Sequence, residues 1–140
     1  MFKGFKQNAC YDDNNLYTLM RYSMPRASDE DIEEKLKGVR RSEDYDILGY
    51  YEEDELVGIV VYRSERDGIA IDMLGVLEGF RGKGLATALI GEALSASKAR
   101  LVRAKADAAS VGFFRKAGFS VLGSEKNYYE EESFFCEKRA

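Results

Sequence analysis

One stretch constrains the fold more than any other. An apolar run, Ile69–Val76, ends in the turn FRGKGLAT (80–87), and apolar residues at helical spacing follow it. Leu85, Ala86, Leu89, Ile90, Ala93 and Leu94 mark that helix, expected to start near Gly82 or Lys83. A strand, a glycine turn and a helix in that order direct free N–H groups at one point in space. The helix dipole adds positive potential there, and Arg81 and Lys83 stand alongside. Gly82 and Gly84 let a ligand approach the backbone closely. A phosphate or pyrophosphate suits such a turn. A glycine turn with solvated cations is the alternative that these residues leave open.

Two familiar phosphate motifs fail here. A P-loop needs Lys and Ser/Thr after its last glycine, and Leu85 and Ala86 follow Gly84. A dinucleotide fingerprint needs a third Gly or an Ala where Thr87 stands.

The surroundings predict a mixed α/β (α+β) architecture. Leu16, Leu19 and Met20 share a helical face after Asp12 and Asp13, and that helix ends before Pro25. Ser28-Asp29-Glu30-Asp31 reads as an N-cap with an acidic first turn. Ile32, Leu36 and Val39 give the second helix its stripe. Strands Tyr45–Glu52, Leu56–Arg63 and Ile69–Val76 follow, antiparallel, with Asp67-Gly68 as a hairpin signal. After the glycine-turn helix come strand Ala99–Lys105, a helix from Asp107 or Ser110 to Ala117 stopped by Gly118, and strands Phe119–Leu122 and Ser133–Glu137. A further strand at the N-terminus is left open.

Length and composition set limits. The chain of 140 residues fits one domain over 1–140, and nine tyrosines and eight phenylalanines supply a core. There is no histidine, and Cys10 and Cys136 form no C-x-x-C pair. Cys/His metal sites and His-based triads are therefore not expected, and both thiols read as reduced and structural. A net charge of −4 argues against a nucleic-acid partner. No apolar run is long enough for a membrane span, and MFKGFKQNACYDDNN lacks a signal-peptide segment, so a cytoplasmic protein is expected.

The motifs resemble one family. R-x-x-G-x-A at Arg81, Gly84 and Ala86 is similar to the R/Q-x-x-G-x-G/A signature of the GNAT N-acetyltransferases, and Leu74–Ile90 looks like the whole motif. ASVGFFRKAGF (Ala109–Phe119) resembles the family's second motif, N-A-x-x-L-Y-x-K-x-G-F. The resemblance implies the GNAT fold: a mostly antiparallel mixed sheet of six to seven strands with about four helices. It implies acetyl-CoA as cosubstrate, with no metal, and an amine of a small molecule or protein as acceptor. The cofactor-binding set it implies is Leu74, Gly75, Val76, Arg81, Gly82, Lys83, Gly84, Leu85, Ala86, Thr87, Ser110 and Phe114.

The chemistry makes three demands. An alkyl amine is only about one part in a thousand neutral near pH 7.4, roughly 4 kcal/mol, so a base must take its proton. Asp72 is the candidate, because a charge between Ile71 and Met73 in an apolar strand needs a reason. Several relatives carry a Glu there. The shorter Asp points to a mediating water, while a carboxylate satisfied by a backbone N–H or an arginine, or facing solvent, is the structural alternative. The thioester oxygen needs a donor, and the resemblance assigns it to the backbone N–H of Val76, with Leu74, where Gly75 would permit a bulge. The thiolate must leave, and here the chain departs from the family. Phe114 replaces the usual tyrosine acid, and Ala109 replaces the asparagine. Ser110, Tyr128, Tyr129 or water are the substitutes, and Phe114 reads as a residue that packs against the pantetheine arm.

Arg21, Tyr22, Tyr45, Tyr51 and Glu52–Glu55 are candidates for the acceptor side. A catalytically weak acyl-CoA-binding sensor or scaffold is the rival reading, and an unrelated nucleotide sensor a third. The Phe134-Phe135 end leaves a homodimer and a core role equally open.

Overall fold

The protein is described from a computed structural model covering residues 1–4 and 13–140. Cys10 and Asp12 lie outside the described residues. The described strands are β1 (Phe2–Gly4), β2 (Tyr45–Glu52), β3 (Glu55–Glu65), β4 (Gly68–Val76), β5 (Leu101–Asp107), β6 (Ser120–Lys126) and β7 (Glu132–Arg139). The helices are α1 (Asn14–Ser23), α2 (Asp29–Arg41), α3 (Leu85–Ser97) and α4 (Val111–Lys116), with a single 3-10 turn at Glu78–Phe80. The strands form one seven-stranded sheet in the order β1-β2-β3-β4-β5-β7-β6. Every neighbouring pair is antiparallel except β4 and β5, which run parallel. That is the expected mixed α/β sheet, at the upper strand count.

Two helix pairs cover the two faces. Leu16, Leu19 and Met20 of α1 and Ile32, Leu36 and Val39 of α2 bury their stripes with Ile47, Ile59, Val61 and Met73. Each such side chain contributes about 1.5–3 kcal/mol by leaving water. On the opposite face α3 buries Leu89, Ile90 and Ala93, and α4 buries Val111 and Phe114, with Val60, Tyr62, Ile69 and Val102. Among the described residues, no helix is long and apolar enough to cross a membrane.

The turns explain where the boundaries moved. Glu65 faces Gly68, so the β3–β4 hairpin turns on Arg66-Asp67 and Gly68 already belongs to β4. A Cβ on Gly68 would stand 2.2 Å from the Leu101 carbonyl oxygen. The glycine is there for the close approach of β5, not for the turn. Glu53 and Asp54 (φ 50° and 68°) turn β2 into β3 with positive φ and no glycine. α3 starts at Leu85, later than Gly82 or Lys83, because Gly82 and Gly84 both hold positive φ and keep the chain out of the helix.

Phe134 and Phe135 separate. Phe134 packs against the α3/α4 core, while Phe135 lies on the other face, 40% exposed, with the Lys105 ammonium 5.8 Å from its ring centroid. Cys136 is a buried free thiol, and burial pushes its pKa up.

Candidate active site

The parallel pair β4–β5 is bonded only from Ile69 to Ile71, against Val102 to Ala104. Beyond Ile71 both strands continue, but apart. β4 stays paired with β3, and β5 with β7. The gap is a cleft of about 1110 Å³. It is bounded by the end of α1, the glycine turn and the start of α4.

Asp72 stands where the strands begin to part. Val61 faces Met73 and Tyr62 faces Ile71, so Asp72 is the extra residue of a β-bulge. Met73 packs among the side chains under α1 and α2, and Asp72 meets Lys35 of α2 at 2.7 Å. Two adjacent residues therefore face one side of the sheet, which a regular strand forbids. The bulge lies at Asp72, three residues before the position expected at Gly75. Gly75 serves another purpose. A Cβ there would come within 3.2 Å of the Leu19 carbonyl oxygen and 3.4 Å of the Tyr22 ring. Its bare Cα lets α1 lie close on β4.

The backbone of β4 turns donors into the gap. Leu77 donates its N–H to the Val57 carbonyl at 2.8 Å, on the β3 side. Val76 has its carbonyl on the other side, where Arg81 Nε donates to it at 2.9 Å. N–H and C=O of one strand residue share a side, and those of its neighbours alternate. The Val76 and Leu74 N–H groups therefore face the side that β5 has left.

The glycine turn follows. Gly82 (φ 80°) and Gly84 (φ 79°) lie in the left-handed region, and a Cβ on either would meet nothing within 4 Å. Open space above two such glycines is what a bound anion needs. Gly84 is the N-cap of α3, with no side-chain cap bond and no acidic residue in the first turn. The first N–H taken within the helix is that of Ala88, donated to the Gly84 carbonyl at 3.0 Å. Gly84, Leu85, Ala86 and Thr87 line the cleft. The chemistry of this donor set fits a pyrophosphate.

Arg81 ties the turn to two neighbours. Beyond its bond to Val76, its guanidinium lies 4.6 Å from the Tyr22 ring centroid on α1. Lys83 is set differently. Its ammonium is 5.5 Å from the Phe80 ring centroid, and Lys83 does not line the cleft.

On the β5 side, Ser110 and Asp107 close a reciprocal turn. The Asp107 N–H donates to Ser110 Oγ at 3.1 Å, and the Ser110 N–H donates to Asp107 Oδ1 at 2.8 Å. Phe114 is buried, stacked edge-on between Phe113 and Phe119 at 5.1 Å each, with part of its surface on the cleft. It packs, as its apolar ring suggests.

The cleft thus gathers every residue named for the site except Lys83. It adds Phe113, Lys105 and Asp107. The alternation Lys105-Ala106-Asp107 carried a signal for the last two, since a strand sends alternate side chains to one face. Of the acceptor-side candidates only Tyr22 lines it. Arg21 pairs with Asp29, and Tyr51 faces Lys3 at 4.9 Å from its ring centroid. Tyr45 lies under Lys35, and Glu52–Glu55 form the β2–β3 turn. Tyr128 and Tyr129 stand exposed in the β6–β7 turn. Among the described residues, no group of three or more acidic or Cys side chains is arranged to hold a metal ion.

The family model for the acetyltransferase (GNAT) domain matches residues 10–131. The chain belongs to the GNAT acetyltransferase family and is an acyltransferase of that type. No curated protein matches it in sequence. Its fold is similar to several solved structures. An aminoglycoside 6′-N-acetyltransferase complexed with coenzyme A aligns with a TM-score of 0.82 at 15% identity, over 99% of this chain and 96% of that one. The aminoglycoside 6′-N-acetyltransferase from Enterococcus faecium aligns at 0.79 and 15% identity, over 99% and 96%. A GNAT family acetyltransferase from Elizabethkingia anophelis with acetyl-CoA bound aligns at 0.76 and 15% identity, over 100% and 97%.

Proposed function

We propose that this chain, a single catalytic domain over 1–140, transfers an acetyl group from acetyl-CoA directly to an amine. The observation that carries the reading is the parting of β4 from β5 at Asp72. It brings a carboxylate, two backbone donors and an uncapped helix start to one cleft.

Each part has its own role. The N–H groups at the start of α3, with the free guanidinium nitrogens of Arg81, hold the pyrophosphate. Each charge-assisted hydrogen bond contributes about 1.5–3 kcal/mol, so four or five suffice without a metal. Phe113 and Phe114 give the pantetheine arm an apolar wall. The Val76 N–H, with that of Leu74, donates to the thioester oxygen as it gains charge, worth roughly 3–4 kcal/mol for one donor. Asp72 takes the amine proton through a water, since its side chain is one methylene shorter than a glutamate. The amine nitrogen then bonds to the acetyl carbon and the carbon–sulfur bond breaks. The thiolate needs little help, because a thiol with a pKa near 8.5 is a good leaving group.

A small-molecule amine is the acceptor class favoured by the likeness to aminoglycoside acetyltransferases and by a cleft with carboxylates on both walls, Asp72 and Asp107. Phe114 favours a second reading, an acyl-CoA-binding sensor, because it has no proton to give. Calorimetry with acetyl-CoA, CoA and ATP comes first, followed by CoA release with a panel of amines. Micromolar binding of acetyl-CoA, much weaker ATP binding and amine-dependent release are expected. Binding without release by any amine supports the sensor. No binding of acetyl-CoA removes both readings.

A further inference from the structure

Asp72 has a partner that its role as base does not explain. Lys35 Nζ lies 2.7 Å from Asp72 Oδ2, each side chain 29% exposed. Lys35 sits three residues after Ile32 and next to Leu36, on the edge of the buried stripe of α2. Its ammonium also lies 5.4 Å from the centroid of the Tyr45 ring on β2. Asp72 lines the cleft and Lys35 does not. The lysine reaches the carboxylate from behind, under α2.

Stability is a weak reason for such a pair. An ion pair this exposed contributes little to folding. Asp72, however, is the bulged residue, outside the regular β3–β4 pairing. Its carboxylate needs something else to fix its direction. Its Oδ2 is held by Lys35, and the residue itself lines the cleft.

We propose that Lys35 is a positioning residue for the transfer reaction. It holds Asp72 Oδ2 so that Oδ1 is aimed at the water or amine whose proton is taken. The inference rests on the reading of Asp72 as base. Arg63 of β3, near enough for its charge to interact with Asp72 and Tyr45, lies 3.7 Å from Glu65. Among the described residues, Lys35 is the cation in contact with the carboxylate.

A double-mutant cycle tests this. The assay is CoA release at saturating acetyl-CoA with a polyamine, an aminoglycoside and a lysine peptide, using whichever amine the unmodified chain acetylates fastest. Asp72→Asn is expected to lower kcat about a hundredfold. Lys35→Met keeps the long apolar stem and removes the charge. It is expected to lower kcat about tenfold, with the KM for acetyl-CoA and the melting temperature unchanged. The double variant is expected to lose no more than Asp72→Asn alone. Lys35→Arg is expected to recover most of the loss. Additive losses, near a thousandfold in the double variant, would show that Lys35 acts elsewhere and would overturn the inference. So would full activity of Lys35→Met. An inert Asp72→Asn substitution removes the base reading itself, and the inference with it. A chain that binds acetyl-CoA but acetylates none of the three amines also counts against both.

Discussion

The helices α2 and α3 are each 13 residues long, and they begin in opposite ways. At α2, Ser28 Oγ accepts from the Asp31 N–H at 3.1 Å, and Asp31 Oδ2 accepts from the Ser28 N–H at 3.0 Å. Asp29, Glu30 and Asp31 add negative charge to the positive end of the dipole. At α3 a left-handed glycine takes the cap position, no side chain caps it, and the first turn holds no acid. The first arrangement satisfies the helix from within the chain. The second leaves its donors for something outside. A glycine at the cap forgoes only about a few tenths of a kcal/mol against a Ser, Thr, Asp or Asn cap, so leaving this helix start open costs the fold little. The contrast separates a helix end that serves stability from one that serves binding, and substitutions at the two ends should divide along the same line.

The largest effect is expected at the open end. Gly84→Glu puts a side chain on a residue at φ 79° and a negative charge beside the bare N–H groups. Acetyl-CoA affinity should fall by at least a hundredfold in calorimetry, from lost hydrogen bonds and added repulsion. Nothing lies within 4 Å of the new Cβ, so the protein should still fold, at a cost of about 1–2 kcal/mol for the left-handed backbone. Unchanged affinity would remove α3 from the site. Arg81→Ala follows in size. It removes a cation that is fastened to Val76 and stacked on Tyr22, and roughly a tenfold loss in affinity is expected.

At the closed end the order reverses. Ser28→Ala breaks the capping box and should lower stability by about 1 kcal/mol, some 3–5 °C in melting temperature for a chain of this size. Acetyl-CoA affinity should not change. A drop in affinity there would mean that the two ends communicate, through α1 or through the Lys35–Asp72 contact.

The cap and the acidic first turn of the closed end could be read from the sequence, since Ser28 through Asp31 is a local code and a local code needs no fold; the return bond from the Ser28 N–H to Asp31 was added by the structure. The open end was legible for the same reason: two glycines, two cations and a helical period lie within a few residues. What escaped was decided by distant partners. The bulge belongs to Asp72 because β3 supplies one residue fewer than β4 between Tyr62 and Val61, a count that no local pattern records. Gly75 is small for α1, and Gly68 is small for β5. Lys35 was one more cation on a helix until the sheet brought Asp72 within 2.7 Å of it. Lys83 showed the converse failure: beside the turn in sequence, it lies over Phe80.

The smallest effect is expected at Phe114, where both kinds of constraint meet. The ring is 6% exposed and held edge-on by Phe113 and Phe119, so its position is set by the core. The same ring borders the cleft proposed to hold acetyl-CoA. Phe114→Tyr adds one polar atom. Directed into the cleft, it has water or thiolate to bond, and the core is undisturbed. Turnover should then stay level or rise by up to about tenfold, the low end of what a general acid gives, because the thiolate already leaves well. Directed into the core, the hydroxyl would lie among Phe119 and its neighbours without a partner, at about 1–3 kcal/mol. A melting temperature that falls while turnover collapses would therefore assign Phe114 to the core alone, and leave the departing thiolate to find its proton in water.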